Sequence, residues 1–315
     1  MSTDRQVRHS KRNGSVSAEA FRVRYLRRSR ELYRKFLENK PWIAQLYSHF
    51  LELRSGLKIV DVGCGTGDFT RYLARLCSGR CTAIGIDNKQ QSLRAAESDT
   101  RREGLSKQIS YRLGDVLSIP IEDDYSDLTC CRTLLMHLQN PKSAVSEMTR
   151  ITKPGGLVAA IEGGRMVSFL DPEDEEYTEL SREANEAWLR AIRKLEAKEF
   201  KIGERLPSIF QKAGLEEVRA EIHADAWLYC DPRRKLSDIR DQLEFEFSLS
   251  KENRGRDRKY LSVGGLSRAK VSKYYRAHDR KVRQLLSDDR KLRANTSFYG
   301  ATFVLVTGRK KPRSN

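Results

Sequence analysis

The segment IVDVGCGTGD, residues 59–68, sets three glycines, Gly63, Gly65 and Gly67, into five positions behind an apolar run that carries one acid, Asp61. Glycine has no Cβ and takes positive φ at little steric cost, so a ligand can lie against the backbone of such a turn. Spacing narrows the choice of ligand. A mononucleotide phosphate loop needs G-x-x-x-x-G-K-[ST], and no Gly-Lys-Ser/Thr follows here. A dinucleotide fingerprint needs G-x-G-x-x-G. Gly63 and Gly65 fit it, but Asp68 holds the third place and glycine comes one residue early, at Gly67. A carboxylate at the mouth of a helix also opposes a diphosphate, which the helix dipole would otherwise attract. The turn instead suits a ligand that lacks phosphate and bears positive charge. Two residues further on are candidates for removing a proton: His137 in LLMHLQNP and Glu162 in AAIEGG. A histidine's ordinary pKa of about 6.5 fits that work. Metal chemistry is not expected, since no H-x-H or H-E-x-x-H cluster is present.

To hold these residues the chain needs a sheet. The sequence predicts strands at 57–62, 81–86, 109–113, 127–133 and 157–162, with helices from about Asp68 to Cys77, at 90–103 and at 141–152. Strands alternating with helices of this length give a parallel sheet covered on both faces. The glycine turn then falls at the C-terminal edge of that sheet, where nucleotide-like ligands bind. After Gly164 the pattern changes, and residues 165–200 are acidic, helical in spacing and without a strand. RLPSIFQKAGL, 205–215, predicts a helix with Gly214 at its C-cap, followed by a strand-like run to Cys230. Residues 231–295 read as helices, and SFYGATFVLVTGRK as a last strand.

The expected organisation is a basic disordered tail at 1–17, N-terminal helices at 18–56 and a core at 57–163. A helical insertion follows at 164–204, then a core helix and strand at 205–230, a basic helical insertion at 231–295, the last strand at 296–310 and a tail at 311–315. The fold class is α/β: a Rossmann-like, doubly wound, mostly parallel seven-stranded sheet whose helical insertions form a cap.

Four segments in order resemble the class I S-adenosylmethionine-dependent methyltransferases, in the manner of the ubiquinone- and menaquinone-biosynthesis-like branch (methyltransferase domain 11/25 type). They are IVDVGCGTGDFTRYLA, AIGIDNKQQSLRAA, YRLGDVLSIPIEDDYSDL and CCRTLLMHLQNPKSAVSEMTRITKPGGLVAAIEGG, spanning residues 57–164, about a third of the chain. S-adenosylmethionine (SAM) is a sulfonium that also carries an ammonium group, so acidic neighbours make electrostatic sense. The resemblance implies that Gly63, Gly65 and Gly67 face the methionine portion and that Asp61 helps hold its ammonium. Asp87, 20 residues past Gly67, and its neighbour Asn88 would take the ribose. Asp115 and the amide of Val116 would read the adenine. Arg132 falls where the family makes backbone contacts to the cofactor, and its side chain is expected to turn toward the acceptor or a carboxylate. His137 and Glu162 would face the methyl group from the ends of strands 4 and 5.

Composition limits the remaining classes. No window approaches the 18 or more apolar residues of a membrane helix, and no secretory h-region opens the chain. Six cysteines without a paired C-x-x-C set read as reduced thiols, with Cys130 and Cys131 in the core, so a cytoplasmic protein is expected. The net charge of +17 is uneven: residues 1–40 carry +8, residues 251–315 carry +14, and the stretch between them −5. Those basic ends make an acidic protein or RNA a rival acceptor to a small molecule, because Tyr260, Tyr274 and Tyr275 lie among the late cations as stacking platforms would. Tyr25, Trp42, Tyr177 and Trp188 are candidates for an acceptor pocket, or for core. A protein that binds SAM without catalysis is a third reading.

Overall fold

The computed structural model describes residues 40–78, 80–169, 174–224 and 228–313, together with Glu31 and Ala226. The expected tail at 1–17 and most of the helices before Lys40, Tyr25 among them, lie outside the described residues. The chain divides into a first unit, residues 1–44, and a second, 45–315, that holds the sheet.

The β-branched run Ile59, Val60, Val62 becomes β1 (Lys58–Val62), buried on both faces as a central parallel strand must be. β2 (Thr82–Asp87), β3 (Ile109–Leu113), β4 (Ser126–Arg132) and β5 (Thr152–Phe169) join it in parallel. Helices α1 (Pro41–Phe50), α2 (Asp68–Leu76), α3 (Gln90–Arg102) and α4 (Pro141–Ile151) precede or link these strands. A short helix α5 (Leu206–Lys212) leads into β6 (Leu215–Ala224), and β7 (Phe298–Lys310) runs antiparallel between β5 and β6. The order is β3-β2-β1-β4-β5-β7-β6, so the sheet is seven-stranded and mostly parallel, as expected. β1 lies between β2 and β4, at the point where the strand order reverses, and the turn after it opens at the sheet's C-terminal edge. Cys130 and Cys131 are fully buried, and all six cysteines are free thiols.

The boundaries of β5 differ most from the sequence reading, and β6 ends at Ala224, short of the run read to Cys230. β5 does not stop near residue 162 but continues to Phe169, which pairs with Phe298, so the stretch expected to lack a strand begins with one. The ladder changes register between Gly163 and Met166. The Gly163–Gly164 pair reads as a stop in sequence, but in the fold it is a bulge that lets another segment approach. A Cβ on Gly163 would stand 2.8 Å from the Phe200 carbonyl oxygen, and one on Gly203 would stand 2.8 Å from the Gly163 oxygen.

The two insertions pack on each other. α6 (Glu175–Glu196) meets α7 (Leu236–Val263) and α8 (Arg268–Ser287), with a short α9 (Asp289–Ala294) after them. Ala184, Ala187, Leu261, Val271 and Tyr275 form their shared core. Around it, acids from the first insertion pair with bases from the second: Glu176 with Lys273 at 2.6 Å, Asp174 with Lys281 at 3.3 Å, and Glu183 with Lys270. Within the second insertion Arg254 bonds Asp279 at 2.6 Å. The charge that looked like a docking surface in sequence is therefore partly spent inside the fold.

Candidate functional site

The turn between β1 and α2 has all three glycines at positive φ: 70° at Gly63, 53° at Gly65 and 72° at Gly67. The reasons differ by position. A Cβ on Gly63 would stand 2.6 Å from the Leu134 side chain, and one on Gly67 would collide with the Tyr111 hydroxyl. A Cβ on Gly65 would meet nothing within 4 Å, so this residue alone of the three opens onto free space. The Cys64 amide donates to the Ile86 carbonyl at 2.9 Å, which ties the turn to β2.

Asp87 ends β2, and its carboxylate bends back over the turn. Oδ2 accepts from the Gly65 amide and Oδ1 from the Lys89 amide, both at 2.9 Å. A carboxylate has about four acceptor sites, so each oxygen keeps one for a ligand hydroxyl. Asn88 stands exposed beside it. The Gly114 amide donates to the Asp87 carbonyl at 3.1 Å, which brings the third segment alongside. There Asp115 is exposed, with Oδ1 accepting from the Leu117 amide at 2.9 Å, and Val116 rests half-buried on the core. The residues assigned to ribose and adenine thus converge on one edge with the glycine turn.

Asp68 takes a different place from the one expected of it. It accepts from the Thr66 hydroxyl at 2.7 Å and from Arg71 Nη2 at 2.8 Å. Arg71 is buried and also bonds Glu103 at 2.8 Å, so the acid at the helix mouth is neutralised from behind rather than offered to a ligand. Asp61 lies deeper still. It is 1% exposed, beneath the turn, and accepts from the Thr70 hydroxyl at 2.5 Å. Burial pushes its pKa up to about 7, partly opposed by Thr70 and the Arg132 guanidinium. Its direct work in this structure is to fix the first turn of α2.

The sign of that shift has a measurable consequence. A carboxylate whose pKa rises on folding lends stability that is full below its unfolded value of about 4 and is lost as pH climbs through about 7. An Asp61→Asn variant carries no such titration. Its stability relative to the parent chain is expected to increase steadily from pH 4 to pH 8, read as the difference in urea midpoints. A pH-independent difference would show that Asp61 is ionised throughout.

Glu162 was expected at the cleft as a proton acceptor, and the structure corrects this. Its side chain is fully buried, Oε1 accepts from the amides of Leu134 at 2.8 Å and Leu135 at 2.7 Å, and Oε2 lies 3.4 Å from the Met136 amide. Those are the orphan N–H groups at the start of a 3-10 turn, Leu135–His137, so Glu162 caps the lip of the site from inside. Burial raises its pKa to about 7 against the pull of those amides. Arg132 ends β4 with its guanidinium 5.3 Å from the Phe303 ring centroid and in electrostatic reach of both buried acids.

His137 stands on the lip that Glu162 supports. It is exposed, and its ring meets Phe200 edge-on at 5.4 Å. Partial burial, with Lys198 and Lys89 nearby, holds its pKa below the usual histidine value, so the ring is neutral at pH 7. The preceding Thr133, at φ 50°, makes the bend that lifts this turn off β4, and its amide donates to Ile161 at 2.9 Å. Phe200, Tyr111 and Leu134 are site-forming residues that sequence reasoning missed, because each acts by filling space beside a glycine or a ring. Arg71 had a usable signal in its three-residue spacing from Asp68. Among the described residues no group of three or more His, Cys, Asp or Glu is placed to hold a metal.

Comparison with known proteins agrees with this geometry. Residues 60–160 match the family model for a methyltransferase domain. A Schizosaccharomyces pombe protein named as an uncharacterized methyltransferase is 33% identical over 125 residues, 38% of this chain and 45% of that protein. The sterol 24-C-methyltransferase of Clavispora lusitaniae is 21% identical over 205 residues, 65% of this chain and 48% of that enzyme. The chain thus spans about half the length of these curated relatives. The structure of the YcgJ protein of Bacillus subtilis superposes with a TM-score of 0.50 at 17% identity, over 86% of this chain and 98% of that one, a likeness of fold. The residues that match the methyltransferase domain, 60–160, are those that carry the ordered motifs, the glycine turn and the central strands.

Proposed function

We propose that the chain transfers a methyl group from SAM to a small-molecule acceptor by in-line displacement. The observation that carries the reading is the Gly65–Asp87 arrangement: a glycine whose missing Cβ leaves open space, its amide held by a carboxylate that keeps acceptor sites for a diol. When bound, SAM supplies an activated methyl group and its own leaving group. The chain's work is to position the two reactants and, for some acceptors, to take a proton. Gly63, Gly65, Gly67, Asp87, Asn88, Asp115 and Val116 would hold the donor. Asp61 and Arg132 would fix the floor beneath it. His137, neutral and on the lip, is the group able to accept a proton. Glu162 would act only by holding that lip in place.

The small-molecule reading is favoured by the fate of the residues its rivals need. Tyr275 is buried, Tyr274 packs partly on the same helical core, and the Tyr260 hydroxyl is bonded to Glu196 at 2.8 Å, so the three do not form one open row of rings for RNA. Trp188 likewise packs in that core and against Phe200 at 5.6 Å. Among the described residues no helix is long and apolar enough to cross a membrane. A cytoplasmic enzyme fits these features.

Calorimetric titration with SAM, S-adenosylhomocysteine and NAD in parallel tests the donor. The first two are expected to bind with micromolar affinity and NAD not at all; NAD binding alone would sink the reading. In the same assay Asp87→Ala is expected to bind SAM at least about tenfold more weakly, since it removes bonds to a charged group and frees the Gly65 amide.

A further inference from the structure

The His137 ring stands beside the glycine turn, yet nothing polar aims it. The Leu134 side chain fills the space next to Gly63, so the lip adjoins that turn directly. Lys89, two residues past Asp87, is within electrostatic reach of the ring. Glu162 fixes the lip from below through the Leu134 and Leu135 amides, but that bonding ends at the backbone. Among the described residues neither nitrogen of the exposed His137 ring makes a hydrogen bond. An imidazole ordinarily takes its orientation from such a bond, to a carbonyl or a carboxylate. Without one the side chain is free to change rotamer, and a base must be aimed before it can work.

Phe200 supplies the constraint. Its ring stands at 89° to the His137 ring with the centroids 5.4 Å apart, an arrangement that aromatic pairs prefer. A packing partner can aim its neighbour only if it is held itself, and Phe200 is held from three directions. Trp188 of α6 packs on its ring at 5.6 Å and 61°. The Glu199 amide donates to the Met136 carbonyl at 3.2 Å, which ties the preceding residue to the same lip. The Phe200 carbonyl oxygen lies 2.8 Å from where a Cβ on Gly163 would stand, so it is glycine at the bulge that admits this segment. The charges around the imidazole are Lys198, bonded to Glu196 at 2.5 Å, together with Glu196 itself and Lys89. None of them bonds to the ring, so packing rather than an ion pair aims it.

We propose that Phe200 is the positioning residue for His137, holding the imidazole at one orientation on the lip with both nitrogens free for the acceptor. That His137 takes a proton rests on the methyltransferase reading; that Phe200 aims it does not. Two measurements on the whole chain test the pair. The first is a nuclear magnetic resonance pH titration, with the His137 signal assigned by its loss in His137→Gln. Phe200→Ala hydrates the ring, which favours its charged form, so its pKa should rise by about half a unit. Lys198 and Lys89 remain and should keep it short of the ordinary value of about 6.5. Phe200→Tyr, which keeps the ring, should restore the parent titration, and His278 on α8 should titrate unchanged throughout. Should Phe200→Ala fail to fold, Phe200→Leu carries the test, because it keeps an apolar side chain without a ring and should give a smaller rise.

The second measurement is transfer of a labelled methyl group from SAM into a small-molecule cell extract. His137→Gln is expected to lose about a hundredfold and Phe200→Ala about tenfold. The double variant should lose no more than His137→Gln alone, because a positioning residue has nothing to hold once the imidazole is gone. A His137 titration that Phe200→Ala leaves unchanged would overturn the proposal. So would an equal shift at His278, which would mean general loosening, or a further loss in the double variant, which would mean that Phe200 acts on its own. SAM calorimetry on the same samples separates the two readings. A parent chain that neither binds SAM nor transfers label would remove the methyltransferase reading, and the His137 titration would then decide by itself whether Phe200 holds the ring.

Discussion

A Gly65→Ala variant is expected to fold and to lose at least tenfold in SAM affinity, about 1.4 kcal/mol or more. The added methyl group meets no protein atom within 4 Å, so its folding cost is confined to placing alanine at φ 53°, roughly 1–2 kcal/mol. Gly67→Ala is the control, because the same methyl group there strikes Tyr111, whose hydroxyl is bonded to Thr100 at 2.8 Å. That variant adds an overpacking cost of about 1–3 kcal/mol to the backbone strain. Thermal melts in buffer and calorimetry on the same two proteins distinguish the cases. If Gly65→Ala binds SAM normally, the space in front of Gly65 is not where the donor lies.

The second large effect is on stability. Glu162→Ala leaves the Leu134 and Leu135 amides buried without acceptors and removes the charge opposite Arg132. Breaking one partner of such a buried network costs about 3–5 kcal/mol, a large part of the 5–15 kcal/mol by which domains are stable. Urea unfolding should show that loss. Glu162→Gln keeps a carbonyl oxygen for the two amides and is expected to lose much less. The pair also decides the residue's role. If Glu162 were the proton acceptor, Glu162→Gln would abolish methyl transfer while remaining folded. As a cap it should leave a folded protein with most of its activity.

The core was legible in sequence because parallel strands and their helices obey two sharp periodicities, and turn residues punctuate them. β3 was read to the residue, and β1, β2 and β4 within one position at either end. The failures share a cause: they concern what covers a residue, which periodicity along the chain does not encode. Glu162 at a strand end reads the same whether it faces a cleft or three amides. Asp68 reads as an exposed acid until Arg71, one helical turn on, is seen bonded to it from behind. Tyr274 and Tyr275 lie among cations in sequence, yet packing of α7 and α8 against α6 buries Tyr275 and part of Tyr274. The ion pairs joining Asp174, Glu176 and Glu183 to lysines about a hundred residues later are invisible to any local window.

The long β5 also settles how force passes through the molecule. The helical unit is not tethered to the sheet by slack loops alone. α6 follows the far end of a strand whose near half lies in the sheet beside β4, and β7 is paired alongside it from Leu157 to Phe169. Such a ribbon behaves as a cantilever, stiff along its length and compliant at its one irregular joint, the Gly163–Gly164 bulge. Glu162 is the last residue on the fixed side of that joint. The segment that follows α6 also reaches the lip directly, through the Glu199 amide on the Met136 carbonyl at 3.2 Å and Phe200 against His137, so lip and helical unit are joined at two places.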